Sequence, residues 1–206
     1  AGRPHPGGDY RERPRHADVL ELITRHREMT WAIDHPIAKQ HDVAGVAAAV
    51  SRLPQVVESL VAQDASADDI GRIVTAIGDS VERRLLQLAE AELGDPPVAY
   101  CWVALGSRAR LEQALAADQD NAIIYDDSVS GDELARLEAF SQDLIAALIS
   151  IGVPPCPGGI MARNPEWRRS LSGWRQELTR WLSATTPDNV MTGSMFMDLR
   201  PLYGRT

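Results

Sequence analysis

Apolar and polar positions alternate along this chain in two distinct rhythms. From Ala17 the spacing is helical, with Val19, Leu20, Leu22 and Ile23 on one stripe of a helix ending near Met29. Asp42 is a candidate N-cap for a second helix carrying Val43, Val46, Ala47 and Val50. Pro54 interrupts that helix, and a short one restarts with Val56, Val57, Leu60 and Val61. The clearest helix spans Ser66 to Leu93. Ile70, Ile73, Val74, Ile77, Val81, Leu85 and Leu88 recur in it at spacings of three and four, with Ser66 and Asp69 as a cap pair. Gly94 and Pro96-Pro97 end it.

After Pro97 the rhythm shortens. Val98–Leu105 is β-branched and aromatic, bounded by Pro and Gly, and reads as a buried strand; Ala122–Tyr125 reads as a second. Asp126-Asp127 reads as the turn leaving it. Leu134–Ile151 returns to helical spacing through Leu137, Phe140, Leu144 and Leu148. Pro154–Gly159 is a turning loop. Asn164 with Pro165 predicts the start of a single helix repeating Trp167, Leu171, Trp174, Leu178 and Trp181, a stripe assigned to packing. Ser194–Arg200 is expected to be a third strand. There is no internal repeat. The predicted organisation is a flexible tail (1–16), a helical region (17–94) and an α+β core with a small mixed sheet flanked by helices (95–206).

Composition narrows the class. The 206 residues are 44% hydrophobic and 24% charged, as in a folded protein, with a formal charge of -8 that disfavours a nucleic-acid groove. Two cysteines, Cys101 and Cys156, cannot build a disulfide framework. No apolar run has bilayer length and the N-terminus lacks a signal-peptide pattern, so a cytoplasmic protein away from membranes is expected. The chain starts at Ala1, as a piece of a longer protein would.

Chemistry concentrates in Leu105-Gly106-Ser107 and Asp118-Gln119-Asp120-Asn121. On a strand, Asp118 and Asp120 share a face, and two carboxylates beside phosphates make a natural Mg²⁺ site. Gly106 lets a ligand approach the backbone closely, and Ser107 is either an N-cap or a phosphate contact. Taken singly, the aspartates read equally as turn residues, and Arg108, Arg110 and Glu112 as solvated charges. An EF-hand is excluded, because Ile123 and Val129 stand where its Gly and Glu belong. A sugar-nucleotide glycosyltransferase also uses D-x-D but does not need the upstream Gly-Ser. Cys156 is rejected as a nucleophile, since no His lies in residues 42–206. The five histidines lack ligand spacing, and Gly158-Gly159 is a tight turn rather than a dinucleotide fingerprint.

Ten residues, 108–117, separate Ser107 from Asp118, a spacing that resembles the polymerase-beta-like nucleotidyltransferase superfamily. Gly106–Gln113, Asp118–Asn121, Cys156–Trp167 and Phe196-x-Asp198-Leu199-Arg200-Pro201 together resemble the nucleotidyltransferase domain of bacterial signal-transduction proteins. Those proteins often carry cyclic-nucleotide-binding and CBS modules, and they are similar to the uridylyltransferase of the PII protein. The resemblance covers roughly residues 43–204. It implies two Mg²⁺ ions, or Mn²⁺, held by Asp118, Asp120 and Asp198, the last on a neighbouring strand and able to help deprotonate the attacking hydroxyl. It also implies an NTP held by Gly106, Ser107, Arg108 and Arg110, and a protein or small-molecule hydroxyl as acceptor. The expected function is nucleotidyl transfer in signal transduction. The alternative is a catalytically weak nucleotide-binding module acting through protein partners. The N-terminal helices are candidates for homo-oligomer contacts. Group members usually carry Gly where this chain has Ala109, a costly exchange only if that backbone is left-handed.

Overall fold

The structure, a computed structural model, describes residues 35–94, 98–184 and 186–204. The expected tail and the helix at 17–29 lie outside them. Between Val43 and Leu93 the described chain forms three helices. In α1 (Val43–Val50), the Asp42 side chain accepts from the Gly45 amide at 2.7 Å. Pro54 sits in the first turn of α2 (Leu53–Ala62), where its missing N–H costs nothing. In α3 (Ala67–Leu93), the Ser66 hydroxyl oxygen accepts from the Asp69 amide at 3.1 Å and its O–H donates to the Asp69 carboxylate at 2.6 Å.

The sheet has strand order β3-β2-β1-β4. β1 (Tyr100–Ala104) is buried at all five residues and pairs antiparallel with β2 (Asn121–Tyr125) on one side and β4 (Arg200–Gly204) on the other. β3 (Arg168–Ser170) adds to β2 in parallel. A one-turn helix, α4 (Gly106–Ala109), follows β1, and α5 (Gly131–Ser150) follows β2 behind a Ser130/Glu133 capping box. α6 (Leu171–Ser183) and α7 (Pro187–Met197) complete the chain. α3 packs on α5 and reaches β4, so helices and sheet share one core. The α+β class with a small mixed sheet flanked by helices is therefore the observed fold.

Two local expectations are corrected. The single helix over 165–181 is instead a 3-10 turn (Pro165–Trp167), strand β3 and α6, and Asn164 makes no side-chain cap. The break lets the backbone of 168–170 satisfy its hydrogen bonds on β2, while Ser170 caps α6 through the Gly173 amide at 3.2 Å. The tryptophans still converge: Trp167, Trp174 and Trp181 are buried against one another with Phe196, and Trp174 stacks on Phe196 at 4.5 Å.

The second correction concerns Ser194–Arg200. Most of it is helix, because Thr186 caps α7 and only Phe196 needs the aromatic cluster; Met197 is left exposed. The strand begins at Arg200, and β4 lies at the sheet edge, where Pro201 is tolerated. Gly204 (φ 106°) is obligatory there, since a Cβ would collide with the Tyr100 carbonyl.

Candidate active site

The end of β1 and the start of β2 meet at one corner. The Leu105 amide donates to the Asp120 carbonyl at 3.1 Å, and the chain then turns at Gly106 with φ 57°. A Cβ on residue 106 would stand 3.1 Å from the Asp120 carboxylate, so glycine is needed for both conformation and space. The remaining positive φ in this corner is at Leu111 (63°). Ala109 lies in the helical turn, where alanine is unstrained.

Alternation along the strand entry sorts the next three residues. Gln119 points inward, buried, with its side-chain amide donating to the Val153 carbonyl at 3.5 Å and its backbone N–H to the Pro154 carbonyl at 3.1 Å. Asp118 and Asp120, on the other face, line a cavity of about 830 Å³. Asn121 is fully buried and holds the Pro/Gly loop against the pair: its side-chain oxygen accepts from the Ala162 amide at 2.8 Å, and its own amide donates to Ile160 at 3.1 Å. That loop delivers Cys156. Ligand atoms of Asp118, Asp120 and Cys156 all lie within 4.8 Å of one another.

Within this trio the titrations of Asp120 and Cys156 are both perturbed. Burial, and after it the charge of Asp118, push the Asp120 carboxyl above its ordinary range, opposed by the Cys156 thiol. Burial and the neighbouring Asp120 push that thiol up to about 11, so Cys156 is a neutral S–H donor at pH 7. One oxygen of Asp120, Oδ1, is buried without any hydrogen-bond partner. A hard divalent ion would meet that need, because it takes carboxylate oxygens and compensates their repulsion. The donor set fits Mg²⁺ or Mn²⁺ through its two carboxylates, because both ions prefer hard oxygen ligands to soft sulfur.

Other expected site residues are placed differently. Arg108 turns away from the cavity and is buried on α3, donating to Glu82 and, at 3.2 Å, to Asp79. Arg110 is half-exposed, donating to Asp198 and, at 2.9 Å, to Glu112. Asp198 caps the end of α7 rather than standing on a strand, and it does not join the Asp118–Asp120–Cys156 group. Ser107 is half-buried within α4.

Two pairs of charged residues escaped the sequence reading: Arg169 with Arg180, and Asp79 with Glu82. Arg169 and Arg180 stand on the cavity wall on either side of Glu177, Arg169 at 3.7 Å from it. Their signal was the polar face of the Trp/Leu stripe, which does not reveal where it points. Buried Asp79 and Glu82 interrupt the apolar stripe of α3, and Arg200 grips Asp79 with bonds of 2.7 and 3.0 Å.

A strand-to-turn corner thus faces an aspartate pair that lines a cavity. Residues 51–188 match the family described as Putative nucleotidyltransferase DUF294, and the chain belongs to that family. Nucleotidyl transfer implies an NTP as donor substrate. A comparison with curated proteins finds no match.

Proposed function

We propose that this chain is a divalent-metal-dependent nucleotidyltransferase that moves an NMP group from an NTP to a hydroxyl acceptor, on a protein or a small molecule. The observation that carries the reading is Asp120: its Oδ1 is buried and unpartnered, its Oδ2 faces the Gly106 turn, and its carboxylate lies beside that of Asp118. When bound, Mg²⁺ or Mn²⁺ would neutralise phosphate charge and polarise the α-phosphate.

The protein's own residues then have separate tasks. Asp118 and Asp120 hold the cation, and the Gly106-Ser107 turn leaves room for the phosphate chain. Arg169 and Arg180, which line the same cavity, offset the departing charge. The acceptor oxygen forms a bond to the α-phosphorus, the α–β phosphoanhydride bond breaks, and pyrophosphate leaves. A carboxylate of the pair accepts the hydroxyl proton. Arg108 is left out of this set because it is spent on α3. Asp198 is left out because it ends α7, paired with Arg110. The setting in bacterial signal transduction, and the likeness to the PII uridylyltransferase, rest on the motif resemblance alone.

A second reading has its own support. Among the described residues, the third group close to the aspartate pair is a thiol and not a carboxylate, which favours a module that binds nucleotide with little turnover. Labelled NTPs with Mg²⁺ or Mn²⁺ and hydroxyl acceptors separate the two. Nucleotidylated product that disappears in Asp118→Asn/Asp120→Asn supports the enzyme. Metal-dependent binding without product supports the module. Identical behaviour of the wild type and the double variant refutes both.

A further inference from the structure

A second cavity, of about 220 Å³, lies where α2, α3 and α5 meet the 113–117 segment, and it shares no lining residue with the cavity of the aspartate pair. Its walls are largely apolar, with Leu53, Val74, Ile77 and Leu148 among them. Three polar side chains, those of Glu82, Arg108 and Gln113, interrupt the lining. Arg108 Nη2 and Gln113 Oε1 are buried and have no hydrogen-bond partner. The Arg108 side chain is only 6% exposed, with Nε and Nη1 already committed to Asp79 and Glu82. Both atoms border Gly78: a Cβ on that residue would stand 3.0 Å from Gln113 Oε1 and 3.6 Å from Arg108 Nη2. A donor and an acceptor thus face one spot that residue 78 leaves open.

Buried groups of this kind cost about 1–3 kcal/mol each when unpaired, and native proteins keep few. A single water takes up only ~30 Å³, and an apolar cavity of ~150 Å³ already admits benzene. The space therefore suits a ring-sized molecule better than one bridging water. Asp79 and Glu82 already balance the Arg108 charge, and the Gln113 oxygen repels a carboxylate. We propose that this cavity binds a small neutral molecule with an amide-type edge on an apolar body. Its carbonyl accepts from Arg108 Nη2, and its adjacent N–H donates to Gln113 Oε1. The site stands independently of the transfer reaction.

Benzamide, benzoate and toluene carry one ring with three different substituents. Each is titrated into the full chain, following the Gly78 backbone amide by ¹H–¹⁵N NMR. Benzamide is expected to bind saturably and at least tenfold tighter than toluene or benzoate. Gly78→Val, which fills the spot, and Gln113→Leu, which removes the acceptor, are each expected to weaken benzamide at least tenfold, with circular dichroism verifying the fold. Gln113 reaches the cavity from a partly exposed segment, so its variant keeps the test decisive if Gly78→Val does not fold. The proposal is overturned by no saturable benzamide binding, by equal or tighter toluene or benzoate binding, or by undiminished benzamide binding in a folded variant.

Discussion

Arg200 closes on Asp79 with two hydrogen bonds, of 2.7 and 3.0 Å, across 121 residues of chain. The same guanidinium donates to the Arg108 carbonyl at 3.1 Å, and Arg108 in turn donates to Asp79 and Glu82. Glu82 also accepts from the buried Trp102 indole at 2.9 Å. One acidic stretch of α3 thereby fixes the edge strand β4, the central strand β1 and the turn after Gly106. Asp79→Ala leaves Arg108 buried beside one remaining carboxylate. Removing one partner of a buried ion pair costs about 3 kcal/mol or more. Urea unfolding should show a lower midpoint with an unchanged slope.

Gly106 and Ala109 respond oppositely to exchange. Gly106→Ala places a methyl at 3.1 Å from the Asp120 carboxylate in a left-handed backbone, so stability falls by about 1–2 kcal/mol and Mn²⁺ binding weakens with it. Ala109→Gly, in a helical turn, should cost no more than about 1 kcal/mol. Thermal melts and Mn²⁺ titration by electron paramagnetic resonance distinguish the pair.

Arg180→Ala should weaken ATP binding about tenfold, equivalent to ~1.4 kcal/mol, because Arg180 lines the same cavity as the aspartates. Arg175, on the same helix and not part of the lining, serves as the control. Calorimetry at two salt concentrations should show the Arg180 effect shrinking at the higher one.

Glu133 reports on acid sensitivity. The Ser130 backbone amide donates to its carboxylate at 2.7 Å, which holds its pKa below the ordinary glutamate value of 4.5 in the folded chain. A group lowered on folding stabilises above its unfolded pKa and loses that contribution as pH falls through the folded one. Wild type and Glu133→Gln should therefore differ in stability above about pH 5 and converge under more acid conditions. Parallel curves down to pH 3 would contradict the capping box.

Neither thiol should react in the native state. Burial raises the pKa of both Cys101 and Cys156, and reactivity requires the thiolate. Iodoacetamide at pH 8 should label the chain only after urea is added.

The helix caps and apolar stripes were legible because each is settled within a few residues: Asp42, Ser66 and the Ile70–Leu88 stripe need only their own turn of chain. So was the Gly106-Ser107 and Asp118/Asp120 pattern, since two strand ends and a glycine state their geometry locally. Strand β3 was not legible, because Arg168–Ser170 extends only when β2 offers its free edge. The fate of Asp198 was not either: a Met/Phe run serves strand or helix equally until Phe196 finds the tryptophans.

Charge partners show the same division. An arginine after a Gly-Ser turn reads identically whether it meets phosphate or protein, and only the approach of α3 gave Arg108 to Asp79 and Glu82. The sequence by itself determined the local elements, the glycine corner and the acid pair, because short-range sterics and periodicity govern them. The tertiary structure alone decided which charges are buried, which face the cavity and which strand borders which, because those depend on contacts between residues distant along the chain.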